Sequence, residues 1–136
     1  MNVEEEKKTL ALYRIQQAEE SLDEAQYLFY GDKSRRSVIN RTYYSMFYSI
    51  LALLIFEPYS SSKHSGVLSY FNRHFIKNGR ISKDIGRAVN KAFDFRQRGD
   101  YREQVIYTRA QVEPFIEWAG KLIDAVKDFL KDKGDI

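Results

Sequence analysis

The stretch Asn40-Arg41-Thr42-Tyr43-Tyr44-Ser45-Met46-Phe47-Tyr48-Ser49-Ile50-Leu51-Ala52-Leu53-Leu54-Ile55-Phe56 decides the fold. Asn40, Tyr44, Phe47, Leu51 and Leu54 step by four and three along one helical stripe. Tyr43, Met46, Ile50 and Leu53 widen the apolar surface beyond a single side. A helix that is apolar over most of its circumference must be wrapped by other elements, so this one is central. Its longest apolar run, Met46 to Phe56, includes Tyr48 and Ser49 and falls well short of the ~20 residues that span a bilayer. It reads as buried core, and no membrane association is expected.

Outward on the N-terminal side, Ala11, Ile15, Ala18, Leu22, Ala25 and Phe29 trace one face of a long helix from about Val3 to Tyr30, with Glu19, Glu20, Asp23 and Glu24 off that face. Gly31 offers a left-handed C-cap and Asp32 or Ser34 an N-cap, predicting a tight reversal into the central helix, which should run to about Phe56. On the C-terminal side, a serine of the segment 57–62 is expected to cap a third helix that carries Val67, Leu68, Phe71 and Phe75 inward and ends at Gly79. Ser82 should cap a fourth, with Ile85, Val89, Ala92 and Phe95 at helical spacing up to Gly99. Residues 100–107 lack periodicity and read as a loop. Thr108-Arg109-Ala110-Gln111 has the form of a capping box, after which Phe115, Trp118, Leu122, Val126 and Phe129 make a final amphipathic face. Pro114 lies late for a first-turn proline, which predicts a later helix start or a bend. Two prolines and seven glycines in 136 residues, with no repeat or linker, give one all-α domain over 1–136. Ten tyrosines, nine phenylalanines and one tryptophan are too many to leave outside so small a domain, so its core should be rich in rings. The absence of cysteine excludes disulfides and thiolate metal sites and fits a reducing compartment, the cytoplasm. The acidic opening, Met1 to Glu6, is unlike a secretory signal.

Net charge is only +3, yet it is segregated. Residues 1–32 hold eight acidic and three basic side chains, and residues 60–109 hold four and eleven. Lys83, Arg87, Lys91 and Arg98 lie mostly opposite the apolar stripe of the fourth helix, and Arg73, Lys77 and Arg80 make a similar row on the third. Arg35 and Arg36 open the central helix, where its dipole disfavours cations and a polyanion would compensate. Solvated faces, or neutralisation of the acidic first helix, account for the same charges. As a phosphate-binding surface they would attract RNA, with Tyr70, Tyr101 and Tyr107 as candidate stacking rings and core or rim packing as their other use.

No cofactor or metal site is expected. Neither His64 nor His74 has the Glu-x-x-His spacing of a di-metal carboxylate bundle, two histidines are too few for a three-histidine zinc site, and no glycine-rich phosphate loop occurs. His64 opens the third helix, where a charged imidazole would oppose the dipole, so it should be neutral and hydrogen-bonded if buried; His74 should be a surface residue. The most informative segment is Phe95-Arg96-Gln97-Arg98-Gly99-Asp100-Tyr101-Arg102, an arginine-dense corner. Arg96 follows the core residue Phe95 and points partly inward, where it can grip a phosphate or pair with Asp100.

These segments, taken with Ser62-Lys63-His64-Ser65-Gly66-Val67 and Asn40 to Phe47, resemble the HEPN domains of prokaryotes, in particular a small stand-alone subfamily often encoded beside a minimal nucleotidyltransferase. The resemblance spans nearly the whole chain. It implies an up-and-down bundle of four main helices plus a shorter extra one, and a homodimer that brings two arginine corners together. Many such proteins are metal-independent endoribonucleases, and others are the toxin or substrate-binding half of a pair with the nucleotidyltransferase. Active members carry Arg, then His after four to six residues. Arg96 matches the arginine, but Tyr101, Arg102 and Glu103 stand where the histidine would fall. Tyrosine, with a reference pKa of about 10, takes a proton from a ribose 2′-hydroxyl poorly. His64 would substitute only if folding brings it beside Arg96. By analogy, Tyr101 is a hydroxyl that a nucleotidyltransferase partner would modify. The expected function is a binding module for RNA, a nucleotide or that partner, with an endoribonuclease and a purely structural helical partner as alternatives. Arg96 and Tyr101 are the catalytic candidates, and Arg41, Tyr44, His64, Arg98, Asp100 and Arg102 the ligand-binding ones.

Overall fold

The architecture grows from the central helix α2, Arg35–Leu54, opened by Ser34, whose Oγ accepts the Ser37 N–H at 3.3 Å. A computed structural model describes residues 2–61, 63–101 and 106–136, with 99–101 described by backbone alone. The elements run α1 (Val3–Tyr30), α2, α3 (His64–Phe71) continuing through a π-helical turn (Asn72–Ile76), α4 (Lys83–Tyr101) and α5 (Arg109–Asp132). No strand occurs among the described residues, and none of their helices is long and apolar enough to cross a membrane.

Helix α2 packs against every other helix. Tyr43, Met46, Ile50 and Leu53 form its deepest side, while Tyr44 and Leu51 are only half-buried. The widening residues of the sequence pattern are therefore the true core stripe. Against α1 the seam is built from small groups: Ala11, Ala18, Ser21 and Ala25 face a helix whose Thr42, Ser45 and Ser49 are also buried. Small side chains let two helices approach closely. The hydroxyls are satisfied within the seam, Ser45 donating to the Ala18 carbonyl of α1 at 2.7 Å and Thr42 and Ser49 to carbonyls four residues back.

Five local expectations differ from the structure. The left-handed residue of the α1–α2 turn is Asp32, at φ 54°, while Gly31 caps α1 at φ −81°. Aspartate tolerates that region, and here its carboxylate meets Arg35 at 3.4 Å and Arg109 at 3.7 Å. Helix α2 stops at Leu54. The N-cap of α3 is Lys63, without a side-chain cap; Ser61 Oγ instead accepts the Lys63 N–H at 3.3 Å. Helix α5 starts at Arg109 despite Pro114, because Thr108 and Gln111 close a capping box in both directions, at 3.2 and 2.8 Å. Elsewhere the signals act as read: Ser82 Oγ accepts the Asp84 N–H at 3.2 Å, and Gly79 turns the chain at φ 80°. Helix α4 runs two residues beyond Gly99, to Tyr101.

Candidate functional site

The site begins with two adjacent rings on α2. Tyr43 is fully buried and Tyr44 half-buried, since neighbours on a helix point about 100° apart. Their rings meet edge to face at 5.4 Å between centroids. From α4, Arg96 lays its guanidinium over both, 5.1 Å from the Tyr43 centroid and 5.2 Å from that of Tyr44, and donates an Nη2–H to the Tyr44 hydroxyl at 3.3 Å. The expectation that Arg96 points partly inward is met in the sense that it rests, half-buried, on the α2 rings.

From the start of α3, His64 reaches the same pair. Its Nδ1 lies 3.0 Å from the Tyr43 hydroxyl, and its ring stacks on Phe47 at 4.0 Å and stands edge-on to Tyr44 at 5.7 Å. His64 and Arg96 thus meet the same tyrosine pair, which lies between them. Burial, and then the nearby Arg96 charge, hold the imidazole below its ordinary pKa, so it is neutral near pH 7. Burial pushes the Tyr43 phenol well above its ordinary value, although Arg96 pulls the other way. Both partners of the hydrogen bond are thus uncharged.

Arg41 extends the site along α2. It lies over Tyr44 at 5.3 Å, donates to Asn40 Oδ1 at 3.1 Å and pairs with Glu24 of α1 at 3.6 Å. Beside it, Leu28, Arg36, Ser37, Asn40 and Arg41 line a shallow depression of about 410 Å³. Arg41, Tyr44, His64 and Arg96 thus come together from three helices. Arg98 does not join them: it is exposed, pairs with Asp94 at 2.6 Å and lies 5.8 Å from the Phe95 ring. The side chains of Asp100 and Tyr101, and all of Arg102, lie outside the described residues.

The supposed stacking rings are otherwise engaged. Tyr107 is buried, stacks on Phe95 at 5.2 Å and donates its hydroxyl to the Phe95 carbonyl at 2.6 Å. Tyr70 is enclosed by Tyr59 and His74 and donates to Glu57 at 3.2 Å. His74 is not a free surface residue, since it stacks on Tyr70 at 4.2 Å. Arg80 is not part of a solvated basic row. It pairs with Glu57 at 3.3 Å and lies over Phe75 and Phe129, which leaves Arg73 and Lys77 as the exposed cations of that row. The sequence reading also missed Tyr43 and Phe47 as the residues that seat His64. Their i, i+4 spacing was visible, but it is equally the spacing of core residues.

A bundle with five helices and no strand among the described residues, and a ring-seated arginine near the end of its fourth helix, defines the class. Within it, the sequence pattern of the HEPN domain matches residues 11–129, and the chain belongs to the HEPN family. It is 39% identical over 127 residues to a "UPF0332 protein" of Thermotoga maritima, covering 93% of this chain and 96% of that one. Two proteins of Methanocaldococcus jannaschii named as candidate toxins are 31% identical over 119 residues, covering 88% of this chain and 80% of theirs, and 34% identical over 118, covering 87% of each.

Proposed function

We propose that this chain is the toxin-like, ligand-binding half of a two-component pair, which engages the phosphate of RNA or of a nucleotide at the Arg96–Tyr44–His64 corner and works as a homodimer beside a minimal nucleotidyltransferase. One observation carries the reading: a guanidinium and an imidazole 32 positions apart in the sequence converge on one tyrosine pair. Arginine supplies planar donors suited to phosphate, and Tyr44 adds a hydroxyl. Arg36 and Arg41 prolong positive charge along α2, where a polyanion could run.

The test is fluorescence anisotropy with a labelled oligoribonucleotide, using the wild type and Arg96→Ala at two salt concentrations. The wild type should bind more weakly as salt rises, and Arg96→Ala should lose about tenfold or more, the scale of a charge-assisted hydrogen bond. Salt-insensitive binding, or full affinity in Arg96→Ala, overturns the proposal. A second reading, metal-independent endoribonuclease, is favoured by the place of His64 beside Arg96. RNA cleavage in EDTA that Arg96→Ala abolishes is its signature.

A further inference from the structure

The hydrogen bond between Tyr43 and His64 has a direction that burial decides. Tyr43 is fully buried, packed against the rings of Tyr44, Phe47 and Phe93. Among the described residues its hydroxyl has one hydrogen-bond partner, His64 Nδ1 at 3.0 Å. A buried O–H left without an acceptor loses its hydration for nothing, so the phenol proton points at Nδ1. Nδ1 is then the acceptor, and the neutral ring carries its hydrogen on Nε2. No Nε2 hydrogen bond occurs among the described residues, and His64 is half-exposed.

We propose that Tyr43 is a positioning residue that locks His64 as a neutral Nε2–H donor, and that this donor, with Arg96 and the Tyr44 hydroxyl, reads the oxygens of a phosphodiester. The inference rests on the phosphate-binding reading above and adds to it the tautomer, the role of His64 and the charge of the group it meets. Tyr44 accepts from Arg96 and so keeps its own hydrogen to donate, which makes all three groups donors. A phosphate oxygen accepts from all three. A ring nitrogen that already bears a proton takes none from a ribose 2′-hydroxyl, so His64 holds the diester and is not the base that would cleave it.

Protonating His64 is opposed from each side. Tyr43 would have to swing its hydrogen into the surrounding rings, the Arg96 guanidinium of α4 lies over the same rings, and the α3 N-terminus repels a cation. From α2, the Tyr44 ring stands edge-on and Arg41 adds a second positive charge over it. Lys63, the preceding residue, adds a third charge. Lowering of the imidazole pKa by burial and Arg96 agrees with this. Diester binding should therefore be flat across the range in which an ordinary histidine titrates, around 6.5.

The test uses the full chain with labelled histidines and a dinucleoside monophosphate, uridylyl-uridine, whose single charge is constant from about pH 5.5 to about pH 8. In the free protein, side-chain ¹⁵N NMR should show the Nε2–H tautomer of His64 at neutral pH. Affinity for the probe should change less than about twofold between about pH 6.5 and about pH 8, whereas dependence on an imidazolium would cost it roughly tenfold per pH unit above 6.5. His64→Gln, a neutral donor, should keep the flat profile, and His64→Ala should lose about tenfold at every pH. Tyr43→Phe retains the ring, frees the imidazole to protonate and should make affinity rise toward acid. An Nδ1–H or imidazolium signature at neutral pH, or wild-type affinity that falls as pH rises through 6.5, overturns the inference while leaving the phosphate site standing. Binding of the probe that neither Arg96→Ala nor His64→Ala weakens, or no binding at all, removes the site and the inference together.

Discussion

Replacing Gly86 by alanine tests the packing of α4 against the turn that precedes it. In isolation the change should help, because alanine is favoured over glycine inside a helix by about 1 kcal/mol. At Gly86, however, a Cβ would lie 2.8, 2.9 and 3.0 Å from Cγ2, Cγ1 and Cδ1 of Ile76, which sits in the π-helical turn. Cγ1 and Cγ2 both hang from the same Cβ, so rotating χ1 relieves one contact while the other remains, and the turn itself must shift. Overpacking of this kind costs about 1–3 kcal/mol, which exceeds the helix-propensity gain. Gly86→Ala should therefore destabilise the protein by about 1 kcal/mol. In an Ile76→Ala background the obstruction is gone, and the same substitution should stabilise by about 1 kcal/mol. The two effects differ in sign and give a coupling of about 2 kcal/mol, well above the error of a double-mutant cycle. Urea unfolding followed by circular dichroism measures all four proteins, with midpoints compared at constant slope. A stabilising Gly86→Ala in the wild-type background, or the same sign in both backgrounds, refutes the packing argument.

Three further perturbations read other parts of the molecule. Ser45→Ala deletes the 2.7 Å hydrogen bond that crosses from α2 to α1; because the Ala18 carbonyl is also a helix acceptor, only about 1 kcal/mol of stability should be lost in urea unfolding, whereas Ser45→Leu should cost several times that by prising the small-residue seam apart. Arg109 of α5 donates to the Phe29 carbonyl at 2.9 Å and covers the Phe29 ring at 3.9 Å, capping the C-terminus of α1 from another helix, so Arg109→Ala should lower stability by about 1–2 kcal/mol and speed hydrogen exchange in the last turn of α1. His64 has a folded-state pKa below its unfolded value, so its neutral form adds stability that is fully present above about pH 6.5 and is lost as pH falls below that value. The urea midpoint should thus drop between about pH 7.5 and about pH 5, with a smaller drop in His64→Gln; equal drops in the two proteins would remove His64 as the source.

Much of the fold was legible because helical periodicity and capping chemistry are local. Ser34, Ser82 and the Thr108–Gln111 box start their helices as read, and the ring-rich core follows from the count of aromatic residues. What was not legible depends on contacts across the chain. Arg80 looked like a surface cation because its spacing fits a basic row, yet Glu57, 23 positions away, and two phenylalanines hold it. Asp32 displaced Gly31 from the left-handed position, where its carboxylate meets two arginines. The site was half legible: Arg96, Arg41, Tyr44 and His64 were named from the sequence and converge. The use of His64 depended on where α3 begins relative to α2, which no motif encodes.

Tyr107, a core residue as one of its two expected uses had it, leads back to the site. Its buried hydroxyl donates to the Phe95 carbonyl at 2.6 Å, and its ring stacks on that of Phe95, which in turn meets Phe115 of α5 edge to face at 5.1 Å. The Phe95 carbonyl belongs to the same peptide unit as the Arg96 nitrogen, and that unit is planar. Fixing the carbonyl from outside α4 therefore fixes the plane from which the Arg96 side chain departs. On the opposite side the guanidinium rests on Tyr43 and Tyr44, which α2 holds through the core. The arginine is thus aimed from both ends by rings. Packing of this density restrains a long side chain that would otherwise lose about 2 kcal/mol of rotamer entropy on meeting a ligand. Tyr107 thus steadies the Arg96 corner from within the core.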